Sequence, residues 1–422
     1  MAIFFTIFKT FLGLWWLWLP VFLVALFIEL WVKYLQLQAV KKINWILLEV
    51  RIPRNIEKTP KAMEQVFSGL HGILSRVKFL DKYWKGKVQE WFSFEIAGIN
   101  GAVYFFIRTP EQFKNLVEAQ IHSQYPEAEI LETMDYTGPL AKTIPFETYS
   151  IGGVELILEK PDYYPIRTFL SFEERQAERR IDTMSVFLEV LSKLRPDENI
   201  FIQYLIQPIS DKEWKDRNKG IEEVNKLTGK KIETKKGLWE KFFEGFGEFI
   251  VKLFQAPAIY PEWDAKKEEA KSAAANLSPG GKLAVEAIEN KLSKLAFKVC
   301  IRFVYAAKKD FFNKANIAAV MGAFKQFNTV DLNAFKGNGK AGTSADQPRI
   351  IPFIKDRREF IRKIAFIDRF INRKMSKNKK DFVLSIEELA TIYHYPILVV
   401  GTPTMRRVET KKAEPPISLP VE

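Results

Sequence analysis

The sequence predicts an α+β fold: one amino-terminal transmembrane helix, then two β-α-β-β-α-β units, the second carrying a helical insertion. Three observations predict it. From Phe11 to Tyr34 the chain reads FLGLWWLWLPVFLVALFIELWVKY, with no charge between Lys9 and Glu29. From Trp45 to Glu132, apolar residues recur at strand and helix spacings in the order strand, helix, strand, strand, helix, strand. The same order of periods returns, more loosely, after Val154.

Residues 1–42 form the anchor. At a rise of about 1.5 Å per residue, twenty apolar residues match a hydrocarbon core of about 30 Å. A secretory signal needs a basic leading flank, a shorter apolar core and a small-residue cleavage site. Here Trp15, Trp16, Trp18 and Trp31 stand among long apolar side chains and nothing like Ala-x-Ala follows. Indoles suit the interfacial belts of a retained span, and Pro20 would only kink it. Lys9 alone precedes the span, whereas Lys33, Lys41, Lys42, Arg51 and Arg54 follow it. The positive-inside rule then places the rest of the chain in the cytoplasm. Cys300 is the single cysteine, so no internal disulfide can form, and its neighbours make it a strand residue.

The first unit covers 43–140. Leu48, Val50 and Ile52 alternate as a strand, and Met63, Val66, Phe67, Leu70, Ile73 and Val77 follow at helical spacing. Phe92, Phe94 and Ile96, then Val103, Phe105 and Ile107, give two strands joined through Gly98–Gly101, a hairpin signal. Thr109-Pro110-Glu111 opens the next helix, and Ala128–Leu131 closes the unit as a strand. This order matches the ferredoxin-like fold.

The second unit covers 150–350. Its strands are Val154–Leu158, Ile200–Ile206, Phe297–Tyr305 and Leu332–Phe335, with helices at 181–194 and 317–327. An insertion at about 209–295 separates the two middle strands. Within it Trp239, Phe242, Phe243, Phe246, Phe249, Ile250, Leu253 and Phe254 share one helical face, an aromatic stripe suited to lipid, a partner groove or ordinary packing. The stretch 266–281 reads as a flexible return. A mobile loop at Gly337–Gln347 leads into residues 351–400, which begin with a basic amphipathic helix, and residues 401–422 form an extended proline-rich tail.

The net charge of +13 is concentrated. Between Lys336 and Lys380 there are 14 Lys/Arg against 4 Asp/Glu. A basic patch of Arg357, Arg358, Arg362, Lys363, Arg369, Arg373 and Lys374 could meet anionic headgroups, nucleic acid, an acidic protein face or only solvent.

Catalytic equipment is scarce. His71, His122 and His394 are too far apart in sequence for a zinc pattern, and no nucleophile elbow or kinase signature occurs. Gly337–Ser344 resembles a phosphate loop, but Ala334 stands at the place of its first glycine and Ala341 at the place of its magnesium-binding hydroxyl. The expectation is a protein without catalytic residues, cofactor or metal. Tyr104 and Phe106 could stack RNA bases on an exposed sheet face, yet Gly101–Thr109 lacks the basic-Gly-aromatic pattern of such sheets.

Phe382–Pro396, FVLSIEELATIYHYP, and Glu414–Pro420, EPPISLP, resemble the segment preceding the motor in membrane-anchored conjugative-transfer ATPases of the TraG and HerA-like type. Glu49–Pro53, Thr59-Pro60, Ala62-Met63, Trp91–Ser93, Glu118–Ile121 and Tyr125-Pro126 are similar to an amino-terminal domain found in bacterial proteins of that group. In those relatives the proline-rich segment runs into an ATPase domain; no phosphate loop is found here. The resemblance therefore implies the membrane-proximal half of a two-part machine in a bacterial inner membrane, a type IV secretion-like or conjugation-like scaffold with its motor on another polypeptide. Candidate docking residues are Trp239, Phe242, Phe243, Phe246, Phe249, Glu388, His394, Pro396, Pro415 and Pro416. Glu387–Leu389 would open a short helix and His394–Pro396 would end it. Expected partners are membrane lipid, a cytoplasmic ATPase in trans and further copies of the chain; under the alternative reading, nucleic acid meets the basic 336–380 segment.

Overall fold

The computed structural model describes residues 13, 15–53, 58–75, 79–142, 144, 146–172, 182–228, 278–344, 352–375 and 381–396. The aromatic stripe from Trp239 to Phe254 and the tail with Pro415 and Pro416 lie outside the described residues.

Helix α1, Trp15–Lys41, is the apolar helix expected from the sequence. Among its described side chains only Val32 is buried. The body that follows is a mixed α+β fold on one nine-stranded antiparallel sheet. Its strands are β1 Trp45–Arg51, β2 Phe92–Ile99, β3 Ala102–Pro110, β4 Glu129–Thr133, β5 Tyr149–Leu158, β6 Glu198–Pro208, β7 Ala296–Lys308, β8 Phe335–Gly337 and β9 Phe382–Ser385. The order across the sheet is β4-β1-β3-β2-β6-β7-β5-β8.

Local chemistry accounts for the short connections. Asn100 (φ 51) and Gly101 (φ 81) turn β2 into β3 with two left-handed residues, the conformation that matches strand twist in a two-residue hairpin. A Cβ on Gly101 would approach the Leu194 carbonyl oxygen at 2.9 Å, which adds a packing reason for glycine there. The regions expected at 43–140 and 150–350 join where β2 pairs with β6, Phe94 opposite Tyr204. Strands β6 and β7 pair antiparallel from Ile200–Tyr305 to Ile206–Val299 across the intervening insertion. Of that insertion, α7 Lys215–Thr228 and α8 Pro279–Ser293 pack together around Trp214, Val224, Ile288 and Leu292.

One face of the sheet carries α2 Lys61–Leu70, α4 Lys114–Gln124, α6 Ser185–Ser192, α9 Lys314–Lys325 and α11 Ile386–Ile392. The opposite face is covered by α10 Pro352–Ile371, whose Phe366, Ile367 and Phe370 pack on Ala97, Phe106, Phe201 and Val304. The remaining short helices are α3 Phe79–Trp84, beside α1, and α5 Gly138–Ala141, beside α10.

Several strand boundaries differ from the periodicity: β5 begins at Tyr149 rather than Val154, and β4 lies at Glu129–Thr133 rather than 128–131. The closing strand lies at Phe335–Gly337 rather than 332–335, because Asn333 is fully buried and braces a loop instead of joining the ladder. Its Nδ2 donates to the carbonyls of Lys160, Pro161 and Tyr164 at 3.0–3.3 Å. The segment 382–385, read as part of a linker, is strand β9. It pairs with Ala296–Val299 of β7, along the side that β5 occupies only from Arg302 onward.

Candidate functional site

Three arrangements gather the residues singled out in the sequence. The first is the junction of α1 with the sheet. Trp15 and Trp16 at one end of α1 and Trp31 further along it are exposed at 57%, 60% and 47%, so the described residues leave them largely uncovered; the Trp18 side chain lies outside the described residues. Beyond Lys41 the chain turns into β1. Val40, Trp45 and Val88 pack on Trp91, Leu205 and Cys300, with Arg108 stacked on the Trp45 ring at 4.5 Å. Burial, with repulsion from Arg373, lowers the Arg108 pKa to about 10. Burial also pushes the Cys300 thiol up to about 11, which leaves it a poor nucleophile.

Helix α3 lies against the same end of α1. Gly86, just past α3, has φ +64, and a Cβ there would sit 2.4 Å from the Leu35 carbonyl carbon. Gly86→Ala is expected to cost about 1–2 kcal/mol from the left-handed backbone alone, with the clash in addition. The measurable sign would be faster tryptic cleavage at Lys85 and Lys87.

The second arrangement contains the resembling segment 382–396, and here the structure corrects its placement. Glu388, His394 and Pro396 are buried, so they form core rather than an exposed docking strand. Ser385 caps α11 in a capping box, its Oγ accepting from the Glu388 backbone N–H while the Ser385 N–H donates to the Glu388 carboxylate at 2.8 Å. That carboxylate also accepts from the Ile166 N–H at 2.9 Å and pairs with Lys291 Nζ at 3.0 Å, both side chains 1% exposed. Lys291 donates a further bond to the Val383 carbonyl. His394 bonds the Ala390 carbonyl through Nδ1 and Asp182 through Nε2, each at 2.9 Å. Tyr393 and Tyr395 sit edge-on to Phe94 and Tyr125, with ring centroids 5.1 Å apart in each pair. The polar groups of Ser385, Glu388, Lys291 and His394 are thus satisfied inside the fold.

The third arrangement is the basic segment, which proves divided. Arg357 and Arg358 are exposed. Lys363 pairs with Glu359 and Lys374 with Asp368 on the surface. The others turn inward. Arg373 is fully buried and donates to both oxygens of buried Glu95, at 2.9 and 3.1 Å, and to Asp135. Ser93, Tyr136 and Gln203 complete the shell of Glu95. Burial works against the Arg373 charge, but Glu95 and Asp135 outweigh it and raise its pKa well above the ordinary value. Arg302, also fully buried, donates to the carbonyls of Arg369 and Lys374 and so fixes the end of α10.

Arg362 and Arg369 bind the carbonyls of Gly342 and Ala341, so the glycine-rich loop through Ser344 is fastened to α10 and is not the free loop the sequence suggested. The backbone N–H groups of Asn338, Lys340, Ala341, Gly342 and Thr343 all bond within the protein. A phosphate-cradling loop needs those groups pointing outward. An open cleft of about 780 Å³ remains between Lys340, Arg358, Ile361 and Arg362.

Reading the sequence missed Glu95, Asp135, Asp182, Lys291 and Arg302. The signal was available, since Glu95 and Arg302 place charges in the middle of strands that are mostly apolar. The face they stand on, which the sequence offered as exposed through Tyr104 and Phe106, is covered by α10. No curated protein matches the chain. Residues 33–407 match the family described as Domain of unknown function (DUF8128), and the chain belongs to that family.

Proposed function

We propose that the protein is a membrane-anchored, non-enzymatic scaffold of a bacterial inner membrane that docks a separate cytoplasmic ATPase, as in a type IV secretion-like or conjugation-like machine. The observation that carries the reading is α1: an apolar helix whose surface the described residues leave largely uncovered, joined by a packed aromatic junction to a large sheet. The family match begins at Lys33, inside α1, so it takes in the last nine residues of that helix together with the whole sheet, and most of the apolar stretch lies before it. The uneven distribution of Lys33, Lys41, Lys42 and Arg51 supports an amino terminus outside and the sheet in the cytoplasm.

We read the sheet as two ferredoxin-like units fused edge to edge. The orders β4-β1-β3-β2 and β8-β5-β7-β6 are the same order, fourth-first-third-second, in two successive sets of strands, and this supports the reading. Fusion through β2 and β6 uses an edge from each unit, which leaves one extended platform rather than two domains on a hinge.

Since residues 382–396 belong to the core, docking of the motor falls to the segments that resemble a linker or a groove ligand beyond it: Pro415–Pro420 and the stripe from Trp239 to Phe249. A proline-stiffened strand loses less conformational entropy on binding than a glycine-rich one. The test is to delete residues 408–422, which lie past the family match, and compare the nucleoside-triphosphatases that co-purify from detergent-solubilised native membranes. Loss of an ATPase from the deleted form is the expected result. An unchanged set, or ATP hydrolysis by this chain alone, would overturn the reading.

A further inference from the structure

Helix α3 carries two large apolar side chains out into solvent: Leu80 is 71% exposed and Trp84 81%. Four residues apart, they share one face of the helix. The helix is held in place. The N–H groups of Lys85 and Lys87 both donate to the Asp81 carbonyl, Lys85 Nζ pairs with Asp81 at 2.9 Å, and Gly86 brings the following turn against the Leu35–Gln36 backbone of α1.

The height of that contact can be read along α1. The uncharged stretch ends at Ile28, and Glu29 and Lys33 then pair at 2.5 Å. The rings of Trp31 and Tyr34 lie tilted against each other just beyond, their centroids 6.0 Å apart. Leu35 lies seven residues past Ile28, about 10 Å along the axis. The headgroup layer on each side of a bilayer is roughly 5–8 Å deep. The α3 turn therefore meets α1 at the rim of that layer, within one indole length of it. Lys41, Lys42, Lys85 and Lys87 are exposed around the same junction, where anionic headgroups would attract them.

We propose that Leu80 and Trp84 enter the headgroup region of the bilayer that holds α1, making α3 a second membrane contact beside the anchor. This rests on the reading of α1 as a span. An indole with an apolar body and one polar N–H is best placed at such an interface. Two contacts, unlike a single helix, fix the tilt of the nine-stranded sheet against the membrane. The scaffold would then present its far surface to a cytoplasmic partner at constant height.

The test uses the full chain in liposomes of phosphatidylcholine and phosphatidylglycerol, with a nitroxide label at Leu80→Cys so that Trp84 stays in place. Leu23→Cys within α1 and Met134→Cys, 92% exposed on the sheet body, serve as references. Native Cys300 is 2% exposed and resists labelling. The readout is the ratio of collisions with oxygen to collisions with a water-soluble nickel chelate. The expected ratio at Leu80→Cys is several-fold above Met134→Cys and below Leu23→Cys. A ratio equal to that of Met134→Cys, with Leu23→Cys still in the acyl layer, overturns this inference and leaves the anchor standing. An aqueous reading at Leu23→Cys overturns the anchor, and this proposal with it.

Discussion

Arg373→Met is expected to destabilise the protein by about 3–5 kcal/mol, read as a fall in the urea midpoint followed by circular dichroism. Removing one partner of a buried pair leaves the other charge without compensation. Here the survivor is Glu95, with no exposure at all, on a central strand and under α10. Most of the loss should be recovered in Arg373→Met combined with Glu95→Gln, because the uncompensated charge is then gone. The acid limb gives a second readout. Burial raises the Asp135 pKa, but the bonds and charge of Arg373 lower it more, and the net value falls below the ordinary 3.8. A carboxylate whose pKa is lower folded than unfolded contributes stability above the unfolded value and loses it as pH falls through the folded one. Arg373, raised well above its ordinary value, loses its contribution only at the alkaline extreme. The native protein should therefore lose stability more steeply below pH 3.8 than Arg373→Met does. Equal acid limbs would show that the pair does not couple α10 to the sheet.

Truncation after Lys380 is expected to abolish the folded state. It removes Phe382, Leu384, Leu389, Ile392, Tyr393 and Tyr395, all 3% exposed or less, along with the carboxylate that pairs with Lys291. Each such side chain contributes about 1.5–3 kcal/mol by burial, and a domain holds only about 5–15 kcal/mol in total. Near-ultraviolet circular dichroism should lose its aromatic signal, and the truncated chain should aggregate. Truncation after Arg407, at the end of the family match, should leave the spectrum unchanged. A folded, cooperative chain ending at Lys380 would show that β9 and α11 are appended to the sheet rather than part of it.

The sequence alone determined those features that depend on neighbours along the chain. An uninterrupted apolar run is enough to specify α1. Alternation in Phe92–Ile96 and Val103–Ile107, with Asn100-Gly101 between, is enough for a hairpin, since a left-handed turn is a local demand. The pairing of Ile200–Ile206 with Phe297–Tyr305 was also legible, because matching alternation marks two strands even across an insertion.

Tertiary structure decided what covers what. Alternation marks an apolar face but not whether the other face is wet, so the burial of Glu95, Gln203 and Arg302 is decided only when α10 is laid over them. Helix α10 looked like a basic patch because sequence counts charges without directions. In space Arg362, Arg369 and Arg373 reach carbonyls and carboxylates from loops and strands far away in the chain. Segment 382–396 looked like a linker for the same reason: a short apolar run with a capping box is equally at home at a surface or in a core. What makes it core is the side of β7 left open where β5 ends, a vacancy set by register between strands and invisible in the order of residues.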